Sequence, residues 1–260
     1  MEIANKLHQI FHGSSRAHGS FVIENSSLGQ KTQGKAKTIK TVGAGVKHWQ
    51  DHIEGREGLG IIPIDEENSV RWGAIDIDVY SLNLEKLVEK IEEFKLPLVV
   101  CRSKSGGAHV FCFLKEKAPA ADMQDKLREV SAGLGYGGVE IFPKQREVLV
   151  ERGDIGSWLN MPYFEGEDSL RYGFDPKGKA LSLNKFIEFV EKRLISHEEL
   201  IKLEVPILDD IKDGPPCLQV LLKQGFPKGT RNNGLFNVGV YLKKSSTETW
   251  VADIEDYNRK

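Results

Sequence analysis

The stretch Gly73-Ala74-Ile75-Asp76-Ile77-Asp78-Val79-Tyr80 combines the pattern of a buried β-strand with two carboxylates. Residues two apart in a strand point to the same face, so Asp76 and Asp78 project together while the apolar residues around them enter the opposite face. Two ionised carboxylates about 7 Å apart repel each other, and a divalent cation relieves that repulsion. The stretch therefore predicts a metal-binding strand. The alternative is an exposed edge strand with two solvated aspartates, which the hydrophobic flanks disfavour.

Strand and helix patterns alternate around this stretch, from about residue 59 to residue 195. Alternating or continuous apolar runs predict strands over 58–64, 70–79, 97–102, 109–114, 138–142 and 147–150. Apolar residues at helical spacing predict helices over 84–94, 123–134 and 183–194. We therefore expect an α+β fold in which a mixed sheet carries the acidic residues.

The composition excludes several classes of protein. The 260 residues include 36 Lys and Arg and 38 Asp and Glu, a net charge of −2 that is ordinary for a globular chain. No apolar run approaches the roughly 20 residues of a membrane span, and no signal-peptide pattern opens the sequence, so we expect a cytoplasmic protein. The three cysteines, Cys101, Cys112 and Cys217, form no Cys-x-x-Cys pair. No zinc is therefore expected in this chain.

A break in the pattern at 204–216 divides the chain. Acidic residues and the triplet Gly214-Pro215-Pro216 predict a linker there. We expect one domain over 1–203 and a small α-helical segment over 217–260. The amphipathic pattern of 247–260 has no terminating signal, so we expect this segment to be truncated and to continue in a longer protein.

A run of basic residues without an acid covers about 28–48, where glycines also recur. It predicts a basic flexible loop. A loop that follows a phosphate backbone and a solvated lysine loop explain it equally well. The basic side chains are those of Lys31, Lys35, Lys37, Lys40 and Lys47.

A second informative segment, Cys101 to Phe111, places a turn rich in serine and glycine between two predicted strands. Such a hairpin presents hydroxyls, an ammonium, backbone N–H groups and an imidazole, which together form an anion-binding concavity suited to a triphosphate. Taken alone, the segment fits a plain tight turn equally well. The groups come from Ser103, Lys104, Ser105, Gly106 and His109.

A third acid, Glu140, stands between apolar residues on the predicted strand 138–142. With Asp76 and Asp78 it completes a set of carboxylates that can hold two metal ions, one to activate a 3′-hydroxyl and one to hold a triphosphate. Lys144 follows closely enough to reach a phosphate.

These three segments, in this order, resemble motifs I, II and III of the archaeo-eukaryotic primase superfamily. The motifs are Asp-x-Asp at Asp76 and Asp78, Ser-x-Ser-Gly-Gly-x-His from Ser103 to His109, and a hydrophobe followed by Glu140. The resemblance is strongest to prokaryotic and phage primase-polymerases and to the primase of TOTE conflict systems. Supporting segments span roughly 45–165 and include Trp158-Leu159-Asn160-Met161-Pro162.

The resemblance implies a role for each matching residue. Asp76, Asp78 and Glu140 would be catalytic and would ligate two Mg²⁺ or Mn²⁺ ions, and the hairpin around His109 would hold the incoming nucleotide. Nucleotide contacts are also carried over to Lys144 and Asn160. Tyr80 is a candidate for ribose contact, although a core role is favoured. The implied fold is a mixed-sheet core like an RNA-recognition motif.

The helical segment 217–260 is similar to the small helical bundle that follows the catalytic core in phage and plasmid primases. That bundle helps to hold the template, which makes Arg231 and Asn232 candidates for phosphate contact; N-capping explains Asn232 equally well.

The function predicted from these patterns is template-dependent synthesis of DNA or RNA primers on single-stranded DNA, with extension, by two-metal transfer that releases pyrophosphate. Implied partners are a single-stranded DNA template, NTP or dNTP, and a helicase or further domain outside this chain, in a prokaryotic or phage-infected cell. One alternative is a metal-dependent nucleotide-sugar glycosyltransferase, which uses Asp-x-Asp but gives no role to Glu140. Another is a catalytically idle replication-initiator module that binds DNA.

Overall fold

The computed structural model describes residues 1–23, 34–79, 82–204, 211, 214–215, 218–219, 221–222, 226, 229–245 and 250–259. Two four-stranded sheets form the body of the fold. Sheet A has the order β2-β1-β3-β8 and consists of β1 (His18–Ile23), β2 (Gly34–Ile39), β3 (Gly58–Ile61) and β8 (Leu159–Asn160). Sheet B has the order β5-β6-β4-β7 and consists of β4 (Ser69–Ile77), β5 (Leu98–Arg102), β6 (Ala108–Pro119) and β7 (Glu140–Phe142).

Helices accompany both sheets. Those of the main body are α1 (Glu2–Ile10), α2 (Val46–Ile53), α3 (Leu84–Glu93), α4 (Ala120–Gly133), α5 (Leu183–Glu191) and α6 (His197–Lys202). The C-terminal segment contributes α7 (Arg231–Ser245) and α8 (Trp250–Arg259). In the part of the chain that the structure describes, no helix has both the length and the apolar character needed to cross a membrane.

The two faces of sheet B pack into two separate cores because residues alternate along each strand. Ile75 and Ile77 of β4 belong to one core, which α3 and α4 complete with residues such as Leu87 and Leu127. Trp72 of β4 belongs to the other core, with aromatic residues of β6 and residues of α1, α2 and α5. Asp76 lies on the same face as Trp72, so the acidic residues stand at the end of the second core.

The α+β fold class is confirmed, but the sheets differ in detail from the sequence prediction. Every ladder between the strands of both sheets is antiparallel, where a mixed sheet was expected. The predicted strand at 147–150 is wrong, because a short 3-10 helix begins at Val150 and the preceding residues belong to no strand.

The prediction of a flexible loop over 28–48 is also wrong for much of its length. Residues Gly34–Ile39 form β2, paired along β1, and α2 begins at Val46. Lysine and glycine content indicated a loop, but main-chain pairing with β1 outweighs the weak local preference of these residues for a strand.

The C-terminal helices have a small core of their own. Val238, Leu242 and Tyr257 pack together with Leu218 and Ile211. Ile211 falls inside the predicted linker 204–216, most of which lies outside the described residues. The domain boundaries therefore stay predictions.

A buried histidine ties α2 to β3 and to the segment after β8. His52 is fully buried, accepts a hydrogen bond at Nδ1 from the Leu59 N–H (2.9 Å) and donates from Nε2 to the Pro162 carbonyl (2.9 Å). Burial lowers its pKa to about 4. The ring is therefore neutral in the folded protein at neutral pH.

We expect this histidine to make stability depend on pH. Since the unfolded residue titrates near 6.5, the unfolded state binds the extra proton between pH 6.5 and about 4. Stability is full above pH 6.5 and falls with pH through this window, by up to about 3 kcal/mol from His52 alone. Urea unfolding from pH 7.5 to 4.5 should give a smaller pH dependence for His52→Gln than for the wild type. Equal slopes would contradict the assignment.

Candidate active site

One row of side chains crosses all four strands of sheet B. The register pairs Asp76 of β4 with His109 of β6 on one side and with Glu140 of β7 on the other. His109 in turn pairs with Cys101 of β5. Paired residues in a sheet project to the same face, so the strand pairing brings together two acids and an imidazole that are far apart in the sequence.

Asp76 is the most constrained member of this row. Its side chain is only 13% exposed, and its Oδ1 is buried without a hydrogen-bond partner. Burial, together with the charges of Asp78 and Glu140, raises its pKa to about 7. Ionised Asp76 is therefore costly in this site unless a cation accompanies it.

His109 lies beside Asp76 but does not supply its missing hydrogen bond. Its Nε2 is 3.4 Å from Asp76 Oδ1, but the two atoms do not form a hydrogen bond. Burial and the nearby charge of Arg171 lower the pKa of His109 to about 4, against an opposing hydrogen bond to the Asn160 backbone. A neutral ring that donates its single N–H to the Asn160 carbonyl has no proton left for Asp76.

Asp78 and Glu140 lie at the solvent side of the row. Both are exposed, and Glu140 Oε2 is 2.6 Å from Lys144 Nζ. Among the described residues, no three histidine, cysteine, aspartate or glutamate side chains already converge on a metal position.

The hairpin between β5 and β6 presses against the end of β4. Ser103 N–H donates to the Gly107 carbonyl (2.9 Å), and Gly106, at φ +89°, donates to the Ser103 carbonyl (3.2 Å). A Cβ on Gly107 would lie 2.1 Å from the Ile77 carbonyl oxygen, so only glycine permits this approach. The hairpin is thereby held next to Asp76 and Asp78.

The hairpin presents its polar groups in two environments. Ser103 is buried, and its Oγ has no hydrogen-bond partner. Lys104 and Ser105 are exposed, and the Lys104 ammonium lies 4.0 Å from the centre of the Phe21 ring of β1. Burial and the neighbouring Arg171 lower the pKa of Lys104. An anion would relieve both effects.

Arg171 is a residue of this site that the sequence analysis missed. It is 7% exposed, its Nη1 is buried without a hydrogen-bond partner, and its guanidinium lies 5.6 Å from the centre of the Phe164 ring. Burial lowers its pKa, and its charge acts on both Lys104 and His109. No motif surrounds it in the sequence.

Main-chain pairing brings Arg171 to the site. The residues that follow it line the edge of β5: Arg102 N–H donates to the Tyr172 carbonyl, and Phe174 N–H donates to the Val100 carbonyl, both at 2.9 Å. Gly173 forms an isolated antiparallel bridge with Cys101. This edge pairing depends on the tertiary fold.

The predicted basic residues lie away from this row. Lys35, Lys37 and Lys40 are exposed on or after β2, and Lys47 forms an ion pair with Asp51 (3.2 Å). Arg231 and Asn232 begin α7, where the Arg231 guanidinium donates to the Asn258 carbonyl at the C-terminal end of α8. Lys31, Tyr80 and Cys217 lie outside the described residues.

The acidic end of sheet B fits a divalent cation by its chemistry. Asp76 offers a buried carboxylate oxygen with no partner. Asp78 follows the end of β4 at Ile77, is exposed, and is close enough for its charge to raise the pKa of Asp76. Carboxylate oxygens are the ligands that Mg²⁺ and Mn²⁺ prefer. The Lys144 contact would have to loosen for Glu140 to join them.

We expect Asp76→Asn to stabilise the metal-free protein at pH 8. Folded Asp76 keeps its proton to pH about 7, whereas the unfolded residue titrates near 3.9. The free energy of unfolding of the wild type, compared with that of the variant, is therefore highest below pH 4. It falls by up to about 4 kcal/mol as the pH rises from 4 through 7. Urea unfolding in EDTA at pH 4 and pH 8 measures the difference. If the difference in free energy of unfolding between wild type and Asp76→Asn is the same at pH 4 and pH 8, the raised pKa of Asp76 is contradicted.

Mg²⁺ or Mn²⁺ should raise the thermal midpoint of the wild type and leave that of Asp76→Asn unchanged, because the ion binds the folded state through this carboxylate. Asp125→Asn, which changes an exposed aspartate of α4 paired with Arg146, is the matched control and should respond like the wild type. A response of Asp76→Asn equal to that of the control would contradict the metal site.

Comparison with known proteins agrees with the motifs. The family model of the archaeo-eukaryotic primase domain of TOTE conflict systems matches residues 24–169. The comparison with curated proteins found no match. Among solved structures, the archaeo-eukaryotic primase domain of the cyanophage S-2L primase-polymerase is similar over 68% of this chain and 89% of that chain, with 12% identity and a TM-score of 0.35.

The family match spans more than half of the chain and includes Asp76, Asp78, the Ser103–His109 hairpin and Glu140. The solved structure is too distant to add to it. The predicted resemblance is confirmed: the chain belongs to the family of archaeo-eukaryotic primase domains of TOTE conflict systems, whose type of activity is that of primase and polymerase nucleotidyltransferases.

Proposed function

We propose that this chain synthesises DNA or RNA primers on a single-stranded DNA template and extends them, by transferring nucleotides from NTP or dNTP with release of pyrophosphate. The observation that carries the proposal is the set of unsatisfied buried groups around the β5–β6 hairpin. One is an acceptor, Asp76 Oδ1 of β4, and two are donors, Ser103 Oγ of the hairpin and Arg171 Nη1, just before the residues that pair with the edge of β5.

A nucleotide with its metal ions satisfies both kinds of group at once. Buried polar atoms normally have partners. An unpaired carboxylate oxygen on β4, together with unpaired donors in and beside the adjoining hairpin, fits a ligand that carries both cations and an anion. A nucleoside triphosphate bound to divalent metal has this character.

The donors of the hairpin suit the triphosphate. Burial and the charge of Arg171 lower the pKa of Lys104, and burial lowers the pKa of Arg171. A phosphate that contacts both would favour their charged forms. Ser105 and the Gly106 N–H complete the turn. His109 is neutral and donates one hydrogen bond to the Asn160 carbonyl, which fixes its ring orientation between the hairpin and Asp76.

The acids suit the metal. Asp76 and Asp78 would hold two ions, Mg²⁺ or Mn²⁺, with Glu140 as the further ligand. The chemistry that such ions supply when bound is activation of the attacking 3′-hydroxyl and neutralisation of charge on the triphosphate. Lys144, now paired with Glu140 at 2.6 Å, would then be free to contact a phosphate.

Template binding would rest on basic residues outside the row. Lys35, Lys37 and Lys40 form an exposed basic edge on and beside β2. Arg231 lines a cavity of about 250 Å³ between the main body and the helices α7 and α8, together with Val79, which follows Asp78.

No observation favours the two alternatives. A nucleotide-sugar glycosyltransferase would use Asp76 and Asp78 but leaves the row of His109 and Glu140 without a role. An idle initiator module gives no reason to retain three unsatisfied groups around one hairpin. A helicase or further domain as partner, and the cytoplasm as the location, remain our expectations from the sequence.

Synthesis on single-stranded DNA tests the proposal. Labelled NTPs and dNTPs with Mg²⁺ or Mn²⁺, with and without an annealed primer, should give products that disappear in the double variant Asp76→Ala/Asp78→Ala. Asp125→Asn is the matched control and should retain synthesis. Products from unprimed template indicate priming, and products only from an annealed primer indicate extension alone. Products that persist in the double variant would contradict the proposal.

His109→Ala should chiefly weaken nucleotide binding, since the ring lies between the hairpin and Asp76. The single N–H of the ring is held by the Asn160 carbonyl, so removal of the ring acts on the nucleotide through the positions of the hairpin and Asp76. We expect a loss of affinity of about the size of one neutral hydrogen bond, roughly 2- to 10-fold. The measurement is the apparent affinity for nucleotide in the synthesis assay. An unchanged affinity would contradict the role given to the hairpin.

A further inference from the structure

The face of sheet A that turns toward the hairpin carries a tryptophan laid flat on glycine. A Cβ on Gly19 or on Gly60 would each come within 2.3 Å of the Trp158 indole. These two glycines are paired across β1 and β3, and their row continues to Thr38 on β2 and Asn160 on β8. The indole therefore packs directly on the main chain of Gly19 and Gly60.

A hydrogen bond fixes the indole in this position. Trp158 Nε1 donates to Thr38 Oγ1 at 3.0 Å. The buried polar edge of the ring is thus satisfied by a side chain of the same sheet, while part of the ring remains exposed. Trp158 also packs against the core that contains Ala17 and Ile62. The ring is therefore held in a fixed orientation, and little further side-chain entropy is lost when a ligand contacts its exposed part.

The same face is next to the proposed nucleotide pocket. Phe21 lies two residues after Gly19, on the same face of β1, and its ring contacts the Lys104 ammonium of the hairpin. Asn160, two residues after Trp158, accepts the hydrogen bond of His109 at its backbone. Trp158 and Phe21 are both half-buried. Two aromatic rings and a cation thus border the site that carries the unsatisfied phosphate donors.

We propose that Trp158 is a stacking platform for a nucleobase that binds beside the hairpin, at the face of sheet A that carries Phe21 and Trp158. Flat aromatic surfaces beside cations are typical of sites for single-stranded nucleic acid and nucleotides, because every base has a π-face. The inference rests on the proposed function and adds to it the surface that contacts the base. The base belongs either to the nucleotide or to the template strand.

Binding of ligands with and without a base tests the platform. The probes are ATP against inorganic tripolyphosphate, and fluorescein-labelled dT₁₂ against an abasic 12-mer, with Mg²⁺ present. Trp158→Leu should weaken binding of ATP, of dT₁₂ or of both roughly 5- to 150-fold, the range measured for loss of base stacking. It should leave binding of the base-free probe unchanged, and the probe that loses affinity identifies the source of the base.

Two further variants separate stacking from damage to the fold. Trp158→Phe keeps a ring and should retain most of the affinity. Gly60→Ala retains the tryptophan but adds a Cβ that would lie 2.3 Å from the indole, so the ring must move. This variant should show the same selective loss of affinity as Trp158→Leu. Thermal melting confirms that each variant is folded.

Unchanged affinity of Trp158→Leu for both ATP and dT₁₂ would overturn the platform, as would equal losses for base-bearing and base-free probes. In either case Asp76-dependent synthesis would still support the proposed function. Absence of binding of every probe by the wild type, together with absence of synthesis, would overturn both.

Discussion

The buried carboxylate of Asp76 is the constraint around which the rest of the site is arranged. Strand β4 is flanked by β6 and β7, so this side chain lies between His109 and Glu140 and has little access to water. Its pKa is raised to about 7 by burial and by two neighbouring acids. A protein keeps such a group at a cost in stability, and cost of this kind at one place is typical of functional sites.

The elements around Asp76 bring positively charged side chains near its carboxylate. The close approach of Gly107 to Ile77 brings the hairpin against β4. The edge pairing of 172–174 with β5 brings the buried guanidinium of the preceding Arg171 near the hairpin. Asp76 and the cations Lys104 and Arg171 thus belong to or adjoin one hairpin, and neither Asp76 Oδ1 nor Arg171 Nη1 has a hydrogen-bond partner. In this account the metal-bound triphosphate supplies the missing opposite charges to the acid and to the cations.

Much of this site could be predicted from local pattern, and the remainder depends on tertiary contacts. The pattern of 70–79 predicts Asp76 and Asp78 at the end of one buried strand, and β4 ends between them, at Ile77. The spacing of serine, glycine and histidine marks the hairpin. The register that aligns His109 and Glu140 with Asp76 is a property of strand pairing and cannot be read from any one segment. The positions of Arg171 and of Trp158 on Gly19 and Gly60 could not be predicted either, because the residues that they contact are distant in sequence. The lysines of β2 predicted a loop for a related reason. Main-chain pairing with β1 makes this segment a strand despite its lysine and glycine content.

The most direct measurement is a crystal structure with Mn²⁺ and a non-hydrolysable nucleoside triphosphate, in which anomalous scattering locates the metal. The account predicts metal peaks about 2.2 Å from carboxylate oxygens of Asp76 and Asp78, with the triphosphate against Ser103, Lys104 and Arg171. Metal bound elsewhere, or phosphates that leave the Ser103 and Arg171 donors unpaired, would contradict it.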